Sequence, residues 1–149
     1  MNLFNIKDKV AVITGGTGVL GSSIAEHLAA SGAKIVILGR NQETIDQSIT
    51  SLRESGYNAL GIAANILDKE SLIEARNTIM THYGRIDILL NAAGGNMPGA
   101  TINQDQTIFD LPMDAFQTVT DLNLNGTVIP SIVFGEVMAK QKEGVIINF

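Results

Sequence analysis

The sequence predicts an α/β fold, a doubly wound parallel sheet with helices on both faces. Three observations carry that expectation. Short apolar runs of strand length alternate with longer helical segments over about the first 90 residues. Such alternation marks βα units, whose right-handed crossovers lay successive strands parallel. The runs are apolar nearly throughout rather than at every second residue, as suits strands covered on both faces. A glycine-rich turn, Thr14-Gly15-Gly16-Thr17-Gly18-Val19-Leu20-Gly21, joins the first run to the first helical segment.

Val10-Ala11-Val12-Ile13 is short and β-branched, which favours a strand. A helix follows from about Val19 to Ser31, with Leu20, Ile24 and Leu28 on one face and Gly32 as its stop. Lys34-Ile35-Val36-Ile37-Leu38 is the second strand. Asn41 caps a second helix that runs to about Glu54 and ends at Ser55-Gly56. Ala59 to Ala64 is a third strand, diluted by alanine and glycine. Asp68 caps a third helix through about His82, stopped by Gly84, and Ile86-Asp87-Ile88-Leu89-Leu90 is the fourth strand. Residues 95–111 carry little periodicity and read as a long loop with one helical turn; loops of that length are functional or disordered. A long helix is expected from Pro112 or Met113 to about Lys142, interrupted by Gly126 and Pro130. Gly144 to Phe149 reads as a fifth strand. The strand order expected from this pattern is 3-2-1-4-5.

Composition narrows the function. The 149 residues are 45% hydrophobic and 17% charged, enough for one domain with a real core. No run approaches the ~18 apolar residues of a membrane span. Met1 to Lys7 shows no leader pattern of basic start, apolar stretch and small-residue cleavage site. The cytoplasm is therefore the expected compartment. There is no cysteine, and neither His27 nor His82 belongs to a paired metal-binding motif, so no metal site is expected. A net charge of −5 disfavours nucleic-acid and anionic-membrane partners, which need clustered Lys and Arg.

The glycine turn carries the chemistry. Gly16-x-Gly18-x-x-Gly21 follows a strand and opens a helix, the context in which this spacing reads as a dinucleotide fingerprint. Its glycines allow positive φ and let backbone approach a pyrophosphate, while the helix N-terminus offers N–H groups to the phosphates. A P-loop is excluded because no Lys-Ser/Thr follows the glycines, and the serine elbow of a hydrolase is missing. At the tip of the second strand stands Gly39-Arg40-Asn41 with no acidic residue. An acid there would bond ribose hydroxyls, whereas arginine accommodates a 2′-phosphate. NADP is favoured over NAD on that ground.

With Asn91-Ala92-Ala93-Gly94 and Asp121-Leu122-Asn123-Leu124-Asn125-Gly126 added to Thr14–Gly21, the chain resembles the short-chain dehydrogenase/reductase family. The resemblance spans all 149 residues, about the first 60% of a typical member. It implies an NAD(P)-binding Rossmann fold, incomplete at the C-terminus, and hydride transfer between NAD(P) and a carbonyl/alcohol pair. It implies that Gly15, Thr17, Gly18, Val19, Leu20 and Gly21, with Arg40, Asn41, Asn65 and Ile66, hold the cofactor. Asn91 would brace the central sheet and Ala92, Ala93 and Gly94 would pass beside the adenosine ribose. Asn65 stands where the family usually has an aspartate, and an amide can still bond the adenine edge. Asn123 matches the family's catalytic asparagine, whose backbone holds a water of the proton relay. Local physics agrees that the helix is special there. Pro130 has no N–H, so the Gly126 carbonyl loses its partner, and a kink frees carbonyls for water.

Two departures stand out. The spacing Thr-Gly-x-x-Gly-x-x-Gly, with Val19 in place of the usual middle glycine, is typical of the family's extended, sugar-nucleotide branch; the Asn-x-Ala-Gly turn belongs to the shorter branch and decides the fold. The family's catalytic Ser and Tyr-x-x-x-Lys fall beyond residue 149, and neither Tyr57 nor Tyr83 has a lysine four positions on. The 149 residues alone are thus expected to be inactive, as a fragment or the observed part of a longer chain, with an uncovered apolar edge at the last strand. The loop 95–111 resembles the insertion of D-mannonate/fructuronate-type sugar-acid oxidoreductases, which implies a sugar acid or polyol substrate. The resemblance also implies a homodimer or homotetramer through the long helix. A nucleotide-binding sensor or scaffold without catalysis is the alternative, since fold does not fix function.

Overall fold

The computed structural model describes residues 5–149. Residues 1–4, part of the N-terminal stretch read above for a leader pattern, lie outside the described residues. Five strands, β1 (Val10–Thr14), β2 (Lys34–Gly39), β3 (Ala59–Ala63), β4 (Ile88–Asn91) and β5 (Val145–Asn148), form one sheet in the order β3-β2-β1-β4-β5. All four pairings are parallel, as the alternation implied. Five helices cover it: α1 (Val19–Ala30), α2 (Gln42–Glu54), α3 (Lys69–Tyr83), α4 (Met113–Thr120) and α5 (Gly126–Gln141). No described helix is long and apolar enough to cross a membrane.

Successive strand residues point to opposite faces, so the sheet divides two cores. Val10, Val12, Val36, Leu38 and Leu89 meet Leu72 and Ile79 of α3 and Val133, Phe134 and Met138 of α5. Ala11, Ile13, Ile35 and Ile37 meet Ala25 and Ala29 of α1 and Ile45, Ile49 and Leu52 of α2. The strand order reverses at β1, with β2 on one side and β4 on the other. That switch point leaves a crevice outside the carboxyl ends of the strands, where open α/β sheets bind ligands. Thr14 pairs in register with Leu38 and Asn91, and Asn91 with Asn148, so these residues share the rim of the crevice.

Four details differ from the expectation. First, the buried stripe of α1 is Gly21, Ala25 and Ala29, while Leu20 is half exposed and Ile24 and Leu28 pack only at the margin. Small residues win because α1 lies too close to the sheet for leucine; a Cβ on Gly21 would overlap the Gly15 carbonyl oxygen.

Second, β4 begins at Ile88, and Asp87 is not a strand residue but a buried anion below it. The Val10 N–H donates to its carboxylate at 2.8 Å, as does Arg85 Nε at 2.8 Å, and Lys9 Nζ stands 3.6 Å away. Burial pushes the Asp87 carboxyl up, but the Arg85 guanidinium, the Val10 N–H and Lys9 outweigh it and hold the group below its usual range. Third, residues 95–111 contain two short 3₁₀ turns, Pro98–Ala100 and Ile108–Asp110, rather than one helical turn. Fourth, the long helix is interrupted by a π turn at Asp121–Asn125, and α5 runs unbroken through Pro130. The wide turn ends at Gly126, whose carbonyl Pro130 leaves without its helical partner.

Candidate functional site

The glycine turn sits at the crevice and is locked from three directions. The Gly15 N–H donates to the Leu38 carbonyl at 3.0 Å, the Gly18 N–H to the Gly15 carbonyl at 3.0 Å, and the Ala93 N–H to Thr14 Oγ1 at 3.2 Å. Gly15 has φ +65°, and a Cβ there would come within 2.7 Å of Ala93 Cα. Only glycine combines that conformation with that proximity. The turn therefore joins the ends of β1, β2 and β4 into one rigid rim.

The N-terminus of α1 is left open where its neighbours are closed. Asn41 caps α2 by accepting the Thr44 N–H at 3.1 Å, and Asp68 caps α3 by accepting from Glu70 at 3.0 Å; each helix also carries a glutamate in its first turn. Helix α1 has neither a side-chain cap nor an acid in its first turn. Its first N–H groups and the positive end of its dipole therefore face outward without compensation, which suits an anion such as a pyrophosphate.

Beside this terminus lies an open groove of about 300 Å³, within the size range of small-molecule sites. Of the residues singled out from sequence, Gly15, Thr17, Gly18, Arg40, Asn65, Ile66, Ala92, Ala93 and Gly94 line it. Arg40 is the exposed cation at its mouth. Asn65 bends its own loop by accepting the Leu67 N–H at 3.1 Å, and its amide nitrogen has no partner among the described residues. Ile66 is buried at the floor. Val19 and Leu20 are not part of the lining; they stand exposed at the start of α1, and Gly21 is buried beneath the turn. Asn41 spends its side chain on the cap of α2. Asn91 is fully buried and braces β4, α5 and β5: its Nδ2 donates to Ser131 Oγ at 2.9 Å, to Asn148 Oδ1 at 2.9 Å and to the Thr127 carbonyl at 3.4 Å.

Asn123 lies in the π turn, a kind of helix defect concentrated at functional sites. Its side chain clasps Gly95 and also donates from Nδ2 to the Val119 carbonyl at 2.8 Å. Oδ1 accepts the Gly95 N–H at 3.1 Å and Nδ2 donates to the Gly95 carbonyl at 2.8 Å. The Asn123 carbonyl accepts from Thr127 Oγ1 at 2.9 Å. Leu122, also in the π turn, lines the groove together with Leu38, Gly39, Ala64 and Leu67. Sequence reasoning passed over these residues and over Ser131, because small or apolar side chains carry no chemical signal of their own.

A model of the short chain dehydrogenase family matches residues 9–149. The chain belongs to that family. It is 38% identical to UxuB, an uncharacterized oxidoreductase of Bacillus subtilis (strain 168), over 97% of this chain and 55% of the relative. Among solved structures, the chain superposes on a candidate D-mannonate oxidoreductase from Haemophilus influenza with bound NAD: TM-score 0.83, 37% identity, 90% of this chain and 51% of the other. It superposes likewise on NAD⁺-bound xylitol dehydrogenase, with TM-score 0.88 and 29% identity over 96% of this chain and 53% of the other. The chain thus spans about half the length of the relatives it matches. In this chain the open α1 terminus, the glycine rim and the Asn91 brace lie together at one end of the sheet.

Proposed function

We propose that the groove holds a nicotinamide dinucleotide and that the whole protein is an oxidoreductase moving hydride between NAD(P) and a carbonyl/alcohol pair. The uncapped α1 beneath a glycine rim with no room for side chains carries this reading. Gly15, Thr17 and Gly18 would take the pyrophosphate, Asn65 and Ile66 the adenine, and Ala92 to Gly94 the ribose side. Val19, Leu20 and Gly21 would present the α1 N–H groups, while Asn41 and Asn91 hold Arg40 and the β4 turn in place. The bound nicotinamide supplies or accepts the hydride; the protein orients it and manages the proton. Asn123 is the proposed relay residue within these 149 residues.

Arg40, with no acid at the β2 tip, favours NADP through a 2′-phosphate. NAD is the second reading, favoured by the NAD held in the two similar structures. A sugar acid or polyol of the D-mannonate/fructuronate kind is the proposed substrate, supported by loop 95–111 and by the 37% identity to the D-mannonate oxidoreductase candidate. The proposed assembly is a homodimer or homotetramer. Its contact would be the exposed apolar stripe Phe116, Leu124, Val128 and Ile132 along α4, the π turn and α5. The cytoplasm is the proposed compartment.

The test mixes the whole protein with NADP or NAD and D-mannonate and follows nicotinamide absorbance. Turnover is expected from the whole protein and none from residues 1–149 alone, which contain no Tyr-x-x-x-Lys. Dinucleotide binding by the whole protein without turnover on any sugar acid or polyol would select a nucleotide-binding module instead.

A further inference from the structure

Asn91 is anchored to α5 by a contact its own strand does not require. The hydroxyl of Ser131 donates to the Thr127 carbonyl at 2.7 Å, the ordinary back-bond of a helical serine. The same oxygen accepts a proton from Asn91 Nδ2 at 2.9 Å, across 40 residues of sequence. The Asn91 nitrogen also faces the Thr127 carbonyl, which can only accept, while its Oδ1 is buried with no partner among the described residues. With Asn148 Oδ1 at 2.9 Å as a further acceptor, the nitrogen's two protons go to the two short contacts. Ser131 and Asn148 therefore share Asn91, and Thr127 is left at 3.4 Å.

One turn toward the N-terminus, Thr127 Oγ1 donates to the Asn123 carbonyl at 2.9 Å, and Asn123 clasps both polar groups of Gly95. A continuous hydrogen-bonded line thus runs from the buried end of β4, through Ser131 and Thr127, to Asn123 and back to the backbone that leaves β4. It closes a loop around Ala92, Ala93 and Gly94, which line the groove. Apolar packing of Val133, Phe134 and Met138 holds α5 against the sheet but is non-directional. The polar line is what fixes how far the helix advances along its axis. The π turn holds Asn123 at the end of this line, so a shift of α5 along its axis reaches Asn123 through the Thr127 bond.

We propose that Ser131 is a positioning residue for the nucleotide groove: through Asn91 and Thr127 it sets the height of Asn123 and so the clasp on Gly95. The consequence for ligand rests on the groove being a dinucleotide site; the clasp itself does not. Ser131→Ala frees a proton of Asn91, which turns to the Thr127 carbonyl and draws the helix with it. The loss of one such bond, about 0.5–1.5 kcal/mol, corresponds to about a two- to tenfold change.

The experiment reads amide hydrogen exchange of Gly95 by NMR in the ligand-free whole protein, beside that of Val36 in the core of the sheet. In Ser131→Ala, Gly95 exchange is expected to accelerate about two- to tenfold with Val36 unchanged, and Ser131→Thr, which keeps the hydroxyl, is expected to restore it. Unchanged Gly95 exchange, equal acceleration at Val36, or no restoration by threonine would each overturn the proposal. A wild-type protein that bound no NADH would strike the dinucleotide reading and leave the Gly95 criterion standing.

Discussion

The central strands β1 and β2 and the last strand of the sheet, β5, are similarly apolar and lie in opposite environments within these 149 residues. Every residue of β1 is buried, and β2 is buried at all but its two ends. Every residue of β5 is exposed, with Val145 at 55%, Ile146 at 39% and Ile147 at 43%. The difference lies in what surrounds each strand. The inner strands β1 and β2 have a strand on each side and helices on both faces. Strand β5 has β4 on one side and α5 on one face, while Val145 and Ile147 lie on the opposite one. The sealed half carries the positive-φ glycine turn and the close approach of α1, which need a platform that does not yield. The other part carries the π turn, the long loop and the apolar stripe.

That contrast can be broken at its strongest point first. Gly21→Val drives a side chain into the Gly15 carbonyl and Gly16 Cα. Overpacking of this kind costs about 1–3 kcal/mol, and the displaced turn should weaken NADPH or NADH binding at least ~100-fold by fluorescence titration. Wild-type affinity in this variant would mean that the sealed rim is not where the cofactor sits.

Asp87→Asn probes the base of the sheet, where β1, β4 and the start of β5 are stitched together: the Val145 N–H donates to the Asp87 carbonyl at 2.9 Å and its carboxylate holds Val10 and Arg85. Losing the charge of this half-exposed pair should cost about 1–2 kcal/mol, to be read by urea denaturation at neutral pH. The Asp87 carboxyl lies below its usual value of 3.8 in the folded state. Its contribution is therefore complete above about pH 4 and lost as pH falls through the depressed folded value. The asparagine variant should show a flatter fall in stability below about pH 4; an acid limb identical to wild type would remove Asp87 from the account.

Asn123→Ala removes the clasp on Gly95 from an exposed position. Dinucleotide affinity should fall about tenfold, as two hydrogen bonds of modest net worth imply, with little change in melting temperature. A large loss of stability with unchanged affinity would make Asn123 a fold residue. The smallest effect is at Arg40, exposed at the groove mouth. Arg40→Ala should weaken NADPH about fivefold, the worth of a partly exposed charge-assisted bond, and leave NADH unaffected. Equal loss for both would show that Arg40 does not read the 2′-phosphate.

Strand order was legible in the sequence because alternating strands and helices with right-handed crossovers leave few arrangements. Much of the groove was legible too, since glycines at fixed spacing and the Asn91–Gly94 turn are local signals. What stayed hidden depended on distance. Hydrophobic periodicity selected Leu20, Ile24 and Leu28 for the buried stripe of α1, but how closely a helix approaches a sheet decides whether leucine or alanine lies beneath it. Asp87 read as part of an apolar run because the Val10 N–H that it accepts lies 77 positions away. Gly126 and Pro130 marked a break in the long helix but not its wide winding over Asp121–Asn125, and Ser131 and Asn148 meet Asn91 only across 40 and 57 positions.

The central claim is that a nicotinamide dinucleotide lies across the glycine rim at the uncapped end of α1. Fluorescence titration of the wild-type protein with NADPH and NADH tests it most directly. Saturable binding of at least one dinucleotide with Kd below ~1 mM, lost in Gly21→Val, is the expected result; no binding of either, or binding that survives Gly21→Val, would contradict it.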